Sequence, residues 1–347
     1  MIQEQMVLRP FDGKEDACDR IAVLIPCFNE ELTILQTITA FRDALPEAII
    51  YVYDNNSSDR TSDVARMAGA IVRTEKRQGK GEVVRRMFAD IEADIYVLVD
   101  GDATYDASAA PSMIARMQTE QLDFVNGARK SEAIKAYRPG HRLGNSVLTT
   151  MVRVIFGRQF TDMLSGYKIF SRRFVKSFPA MSSGFEIETE LTVHALELRM
   201  PCSEMDTSYF ERPHGSLSKL STYRDGGRIL RFIASLVKNE RPLQFFGLIG
   251  ISLIVLAFLL SAPLLVTYLE TGLVPRLPTA VLSVGSVIVG VFSIFTGLIL
   301  DMITTQRREM KRLHYLSMPQ LPGRSPSHNW VHETQSAIER QLAIPAR

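Results

Sequence analysis

The chain has 347 residues, 46% hydrophobic and 22% charged, which is length enough for one large α/β domain plus a smaller unit. Its 40 basic and 38 acidic side chains leave a net charge of +2, which argues against a nucleic-acid-binding protein, whose footprint is a basic excess. The three cysteines, Cys18, Cys27 and Cys202, are odd in number and far apart, so they suit neither a disulfide framework nor a zinc set and point to a reducing, cytosolic setting.

Residues 1–20 carry Glu4, Asp12, Glu15 and Asp16 and no apolar run of a secretory signal, and they read as an extension. From Ile21 onward, short β-rich apolar runs alternate with helix-period segments, the pattern of a mostly parallel sheet with crossover helices. Strands are predicted at Ile21–Ile25, Ala48–Tyr53, Ala70–Arg73, Ile95–Val99 and Phe124–Asn126. Leu32, Leu35, Ile38 and Phe41 make a helical stripe, and Thr61–Ala68 and Glu82–Ile91 two further helices.

Ligands of open α/β sheets collect beyond the carboxyl ends of the strands, and those ends are polar in this chain. The first runs into Pro26-Cys27-Phe28-Asn29-Glu30, the second into Asp54-Asn55-Asn56-Ser57-Ser58-Asp59, and the fourth into Asp100-Gly101-Asp102. The last triplet suits a hard cation such as Mg²⁺ or Mn²⁺, which takes one or two carboxylates with phosphate and water; an Asx turn capping a helix has the same residues. Gly79-Lys80-Gly81 opens a helix where an ammonium and backbone N–H groups can meet phosphate, and such triplets are also plain turns. Neither a dinucleotide fingerprint nor a Walker A loop is present.

Arg129, Arg138 and Arg142 follow the fifth strand, and Arg212 and Lys219 precede a long apolar region; charge runs are commonly just solvated, but phosphate recognition uses these side chains. Glu186 and Glu190 are undecided, and His141 and His194 read as structural because no ligand set accompanies them. Residues 226–241 form an amphipathic juxtamembrane helix with Ile229, Phe232, Ile233 and Leu236 on one face. Residues 242–303 hold two uncharged runs, spanning at about 243–268 and 278–301, each beyond the roughly 20 residues that cross a bilayer. Basic residues flank the outer ends of this hairpin, which puts residues 21–225 and both termini, including the tail 304–347, in the cytoplasm.

Taken in order, Pro26 to Glu30, Asp54 to Thr61, Gly79 to Gly81, Asp100 to Asp102, Gly127 to Arg129, Asp162 to Lys168 and Arg212 to Lys219, followed by paired spans, resemble the family 2 glycosyltransferases of GT-A fold. More narrowly they resemble the polyprenyl-phosphate glycosyltransferases of dolichyl-phosphate mannose synthase and GtrB type. The resemblance implies a nucleotide-sugar-binding domain at 21–225. Pro26, Phe28 and Glu30 would line the base and ribose, Asp54 and Asn55 would read the base, and Lys80 and Asp100 would bind the donor. Asp100 and Asp102 would hold the metal. Arg129, Arg138, Arg142, Ser165, Arg212 and Lys219 would hold the lipid phosphate and diphosphate. Asp102, Asp162 and Arg129 would act in catalysis, with Asp162 positioning more than deprotonating, because a phosphate monoester is largely an oxyanion at neutral pH. Many relatives have two aspartates where this chain has Asp54-Asn55, which leaves UDP against GDP open.

The expected reaction is inverting, metal-dependent transfer of a sugar from a UDP- or GDP-sugar to polyprenyl phosphate at the cytoplasmic membrane face. Two rivals are a non-catalytic carrier-binding or scaffolding subunit and a processive polysaccharide synthase. The synthase would need a Q-x-x-R-W motif, whereas the one tryptophan, Trp330, lies in His328-Asn329-Trp330-Val331. A homo-oligomer arranged through the membrane helices stays open.

Overall fold

A computed structural model describes residues 19–130, 160–184, 186–212, 235 and 238–321. Its first half alternates strand and helix: β1 Ile21–Cys27, α1 Ile34–Ala44, β2 Ile49–Asp54, α2 Thr61–Met67, β3 Ile71–Thr74, α3 Lys80–Asp90 and β4 Ile95–Leu98. β3, β2, β1 and β4 lie side by side and parallel, so the carboxyl ends of β1, β2 and β4 share one edge. β4 is buried along its whole length, as a strand covered on both faces has to be.

The second half adds α4 Ala110–Thr119, β5 Phe124–Lys130, β6 Lys168–Ser171, α5 Arg172–Ser177, α6 Ile187–Glu197 and β7 Cys202–Ser208. The seven strands run in the order β3-β2-β1-β4-β6-β5-β7, with β6 antiparallel to both of its neighbours. Two apolar clusters pack on opposite faces. One gathers α1, α2 and α4; the other gathers α3, α5 and α6 around stacked Phe124, Phe170 and Phe174. Neither β6 nor β7 is among the predicted strands: β6, Lys-Ile-Phe-Ser, has only two apolar residues, and β7, Cys-Ser-Glu-Met-Asp-Thr-Ser, is mostly polar.

Helix α1 differs from the expected stripe. Ile34, Thr37, Ile38 and Phe41 are buried, a single i, i+3, i+4, i+7 face, while Leu32 and Leu35 are 67% and 52% exposed. Leu35 stands about 100° around the helix from Ile34, so both cannot face the sheet.

Two long helices follow, α7 Pro242–Thr271 and α8 Leu277–Leu316, each long and apolar enough to cross a membrane. They pack on each other through small residues. A Cβ on Gly250 would lie 2.5 Å from the Gly290 carbonyl and one on Gly290 2.8 Å from the Gly250 carbonyl, so only glycine allows this approach. Ser293 donates its hydroxyl to the Phe246 carbonyl at 2.9 Å, beside the same contact. Only 17% of each apolar window is buried. Helix α8 continues without a break past residue 303, where the tail was expected to begin. The amphipathic stretch 228–238, Arg138, Arg142 and Lys219 lie outside the described residues or, for that stretch, largely so.

Candidate active site

The loops after β1 and β2 are knitted to each other. Asn29, at φ +53°, donates its N–H to Ser57 Oγ at 2.8 Å and accepts at Oδ1 from the Ser58 N–H at 2.8 Å. The Glu30 N–H donates to Thr61 Oγ1 at 2.8 Å, and Arg60 forks onto Glu31. Asp54, buried at the end of β2, accepts from the Ser57 N–H and hydroxyl and, at 3.0 Å, from the Ser62 hydroxyl. Asn55 ties in the next loop: its Nδ2 donates to the carbonyls of Glu75 and Arg77 at 3.0 and 2.7 Å, and its Oδ1 accepts from the Gly79 N–H at 2.7 Å. An aspartate could not make the two donations, which gives the departure at Asp54-Asn55 a structural reason. Pro26 and Phe28 are half-buried beside these loops.

Asp100 and Asp102 project from the end of β4, and glycines set their approach by space. A Cβ on Gly101 would meet Cys27 Sγ at 2.7 Å, and one on Gly166 would meet Asp100 Oδ2 at 2.2 Å. The positive φ in this turn belongs to Ala103, at +56°, not to Gly101. Thr33 Oγ1 donates to the Gly101 carbonyl at 2.8 Å and to Glu30 Oε2 at 3.2 Å, joining the β1 loop to the β4 loop. Asp102 is 3% exposed; its Oδ1 accepts from Thr104 Oγ1 at 2.6 Å and its Oδ2 from Arg212 Nη2 at 2.5 Å. Burial and then the charge of Asp100 raise its carboxyl above the usual range, with Arg212 pulling the other way.

Lys80 does not offer a free helix start. The Gly81 N–H is taken by the Ser183 carbonyl at 3.0 Å, and a Cβ on Gly79 or Gly81 would lie 2.1 Å from the Ser183 or Ser182 carbonyl. These glycines let α3 press against that segment and carry Lys80 inward. Its Nζ reaches both Asp100 Oδ1 and Glu188 Oε1 at 2.5 Å. Burial works against the ammonium, but the two carboxylates outweigh it and raise the amine's pKa, so Lys80 stays charged. Glu188, in the first turn of α6, was not among the expected residues, although Glu186 and Glu190 were considered.

Arg129, near the end of β5, and Asp162 form a two-pronged pair: Nε to Oδ2 at 2.6 Å, Nη2 to Oδ1 at 2.8 Å, with the Arg129 N–H adding 3.2 Å to Oδ2. Burial alone would raise the Asp162 carboxyl, but the Arg129 hydrogen bonds prevail and hold it below its ordinary value. Glu204 of β7 sets this segment by accepting from the Thr161 and Asp162 N–H groups at 2.7 and 3.2 Å. Asn126 donates to Glu204 Oε1 and the Asp162 carbonyl, while its Oδ1 accepts from Lys168 Nζ at 2.7 Å. Lys168 is wholly buried, and burial lowers its pKa to about 8. Ser165 is wholly buried and accepts at its hydroxyl from the Tyr167 N–H at 3.2 Å. Sequence reasoning missed Lys168, Glu188 and Glu204; a lysine two residues after Ser165-Gly166 was the one available signal.

Within the described residues the fold therefore brings Asp54, Lys80, Asp100, Asp102, Arg129, Asp162 and Arg212 to the end of the sheet where β1, β2, β4 and β5 terminate. A cavity of about 530 Å³ opens beside Asp100, between α1 and residues 103–111, with Tyr105 and Phe210 in its wall. Among the described residues no group of three or more His, Cys, Asp and Glu side chains is arranged to hold an ion. Asp100 and Asp102 are engaged instead by cationic side chains, Asp100 by Lys80 and Asp102 by Arg212.

Comparison with known proteins gives consistent matches. Residues 22–178 match the pattern described as glycosyl transferase family 2. Glycosyltransferase AglJ of Haloferax volcanii is 33% identical over 305 residues, covering 86% of this chain and 98% of the relative. An uncharacterised protein of Shigella flexneri is 56% identical over 155 residues, 45% of this chain and 95% of its own length. Glucosyl-3-phosphoglycerate synthase from Mycobacterium tuberculosis, solved with Mn²⁺ and uridine-diphosphate-glucose, superposes with a TM-score of 0.52 at 23% identity, over 63% of this chain and 78% of that one. That likeness shows a shared GT-A sheet.

Proposed function

Because the chain belongs to glycosyl transferase family 2, and is a glycosyltransferase that uses a nucleotide-sugar, we propose that its acceptor is polyprenyl phosphate, met at the cytoplasmic face of a membrane. The observation that carries this reading is the exposed apolar surface of α7 and α8. Phe258, Leu259, Phe292 and Met302 are each 67–68% exposed, and the two helices shield little more than their shared seam. Such a surface needs lipid around it, and an enzyme held there meets acceptors whose phosphate lies at the bilayer surface. The narrower kinship is with the polyprenyl-phosphate glycosyltransferases of dolichyl-phosphate mannose synthase and GtrB type.

The mechanism is an in-line displacement. A lipid phosphate oxygen forms a bond to the anomeric carbon as the bond from that carbon to the diphosphate oxygen breaks, so the configuration inverts and a nucleoside diphosphate departs. No general base is needed, since the second pKa of a phosphate monoester is about 6. Asp162 holds the Arg129 guanidinium rigid so that it can meet the incoming phosphate; Arg138, Arg142 and Lys219 add further cations, and the Ser165 hydroxyl supports the turn to Tyr167. Lys80 and Arg212 lie against Asp100 and Asp102 and would neutralise the leaving diphosphate. Pro26, Phe28, Glu30, Asp54 and Asn55 form the nucleoside side. A divalent metal held by Asp100 and Asp102, as Mn²⁺ accompanies the nucleotide-sugar in the mycobacterial synthase, would supply the remaining positive charge on the diphosphate.

The test uses purified chain, polyprenyl phosphate, a panel of UDP- and GDP-sugars, and Mg²⁺ or Mn²⁺. One donor is expected to give a metal-dependent lipid-linked sugar, and Asp102→Asn to lose at least about a hundredfold in rate. Transfer by Asp102→Asn at the parent rate would refute the site.

A further inference from the structure

Beyond its apolar part, α8 runs on to Leu316 and lies against the catalytic domain. Its thirteen residues from Thr304 to Leu316 make about 20 Å of helix. Near the base, Arg307 and Arg308 donate to Glu240 at 3.0 and 2.9 Å, and Thr304 Oγ1 donates to the Asn239 carbonyl at 3.2 Å, so this part is locked to the residues before α7. One turn further, Lys311 Nζ donates to Glu197 Oε2 at 2.9 Å, a carboxylate with a side chain 2% exposed at the end of α6. At the tip, Tyr315 is buried in the core on the α5 and α6 side. Its hydroxyl donates to Asp123 Oδ2 at 2.6 Å, and the Arg173 guanidinium lies 4.7 Å from its ring centre while also bridging Asp123.

The two gripped residues stand at the far ends of elements that carry the site. Asp123 immediately precedes β5, whose other end holds Arg129; Glu197 closes α6, whose first turn holds Glu188. The domain is already joined to α7 by the chain itself, so keeping it near the bilayer does not need these contacts. A second, buried attachment at the opposite end of the sheet does something the covalent link cannot, which is to hold the height and tilt of the catalytic edge. Misplacement of reacting atoms by about 1 Å can cost roughly a hundredfold in rate.

We propose that residues 304–316 of α8 are a bracket that sets the catalytic edge over the bilayer, with Lys311 and Tyr315 as positioning residues that favour acceptors embedded in lipid. This rests on the polyprenyl phosphate reading above. Thr305, exposed and just past the Thr304 contact at the base of the bracket, is the place to break it, because proline there removes a helix hydrogen bond and leaves the Lys311 and Tyr315 side chains unaltered.

The full chain is reconstituted in phospholipid vesicles and assayed with a long-chain polyprenyl phosphate in the bilayer and, separately in detergent, with a short water-soluble prenyl phosphate. Thr305→Pro should lose about tenfold in kcat/KM on the bilayer acceptor and stay within about twofold of the parent on the soluble one. Lys311→Ala should lose about threefold in the same selective way, and Lys311→Arg should restore it. Pulsed-EPR distances between labels at Lys76→Cys and Met302→Cys, with Cys18→Ser and Cys202→Ser, should broaden in Thr305→Pro and Lys311→Ala and stay narrow in the parent and Lys311→Arg. Equal loss on both acceptors, or an unchanged distance distribution, overturns the bracket. If the parent serves neither acceptor while the distances broaden as expected, the bracket stands and the lipid acceptor falls.

Discussion

The Arg129 and Asp162 pair yields the sharpest quantitative expectation. Their side chains are 17% and 11% exposed and meet through two bonds of 2.6 and 2.8 Å. Removing one partner of a fully buried pair costs about 3–5 kcal/mol, and a charge-assisted hydrogen bond contributes about 1.5–3 kcal/mol. Asp162→Asn keeps one acceptor and the residual exposure screens the rest, so a loss of about 2 kcal/mol is expected, or roughly 4–8 °C in Tm for a domain of this size. Transfer should fall about a hundredfold, because the guanidinium loses its fixed orientation. A cycle of Asp162→Asn, Arg129→Gln and the double variant, read by thermal unfolding in detergent, should show coupling of about 1–2 kcal/mol. The carboxyl's pKa is depressed in the folded state, so its contribution is complete above about pH 4 and is lost as pH falls below that value. The Tm difference between parent and Asp162→Asn should therefore narrow as pH falls below about 4. Additive single effects, or a Tm gap that does not narrow below about pH 4, would refute the reasoning.

Two further predictions follow from packing. Gly166→Ala puts a methyl 2.2 Å from Asp100 Oδ2, so Asp100 must move; transfer should drop about a hundredfold while the circular dichroism spectrum is kept, and full activity would contradict the proposed role of Asp100. His194 is buried with Nδ1 unpartnered, and burial, assisted by the Lys311 charge, lowers its pKa to about 3. Between pH 6.5 and 3 the unfolded chain takes up a proton that the folded chain does not, so stability falls as pH falls, by about 1.4 kcal/mol per unit. His194→Gln should remove about 2 kcal/mol of the loss between pH 7 and 5, measured as the change in Tm difference from the parent; parallel curves would show that the imidazole is not the source.

Much of the architecture was legible because it is local. The β-rich runs from Ile21 to Val99, the polar residues that terminate them and the two uncharged stretches after Pro242 each depend on neighbouring residues, and parallel strands place Asp54 and Asp100 on one edge by topology alone. The same local patterning failed where burial was decided from a distance. Leu35 fits an apolar stripe yet faces outward, and β7 is polar because Glu204 serves the Asp162 turn instead of a core.

Patterning and hydropathy thus determined that an α/β domain precedes an apolar hairpin, and the family resemblance carried by the ordered motifs implied a nucleotide-sugar enzyme. Only the tertiary structure decided which charges meet. Lys80 finds Glu188 across 108 positions and Tyr315 finds Asp123 across 192, and no periodicity reaches that far. The reason is physical: a buried charge is tolerated only with a partner in place, and that partner comes from whatever element the completed core brings within about 3 Å.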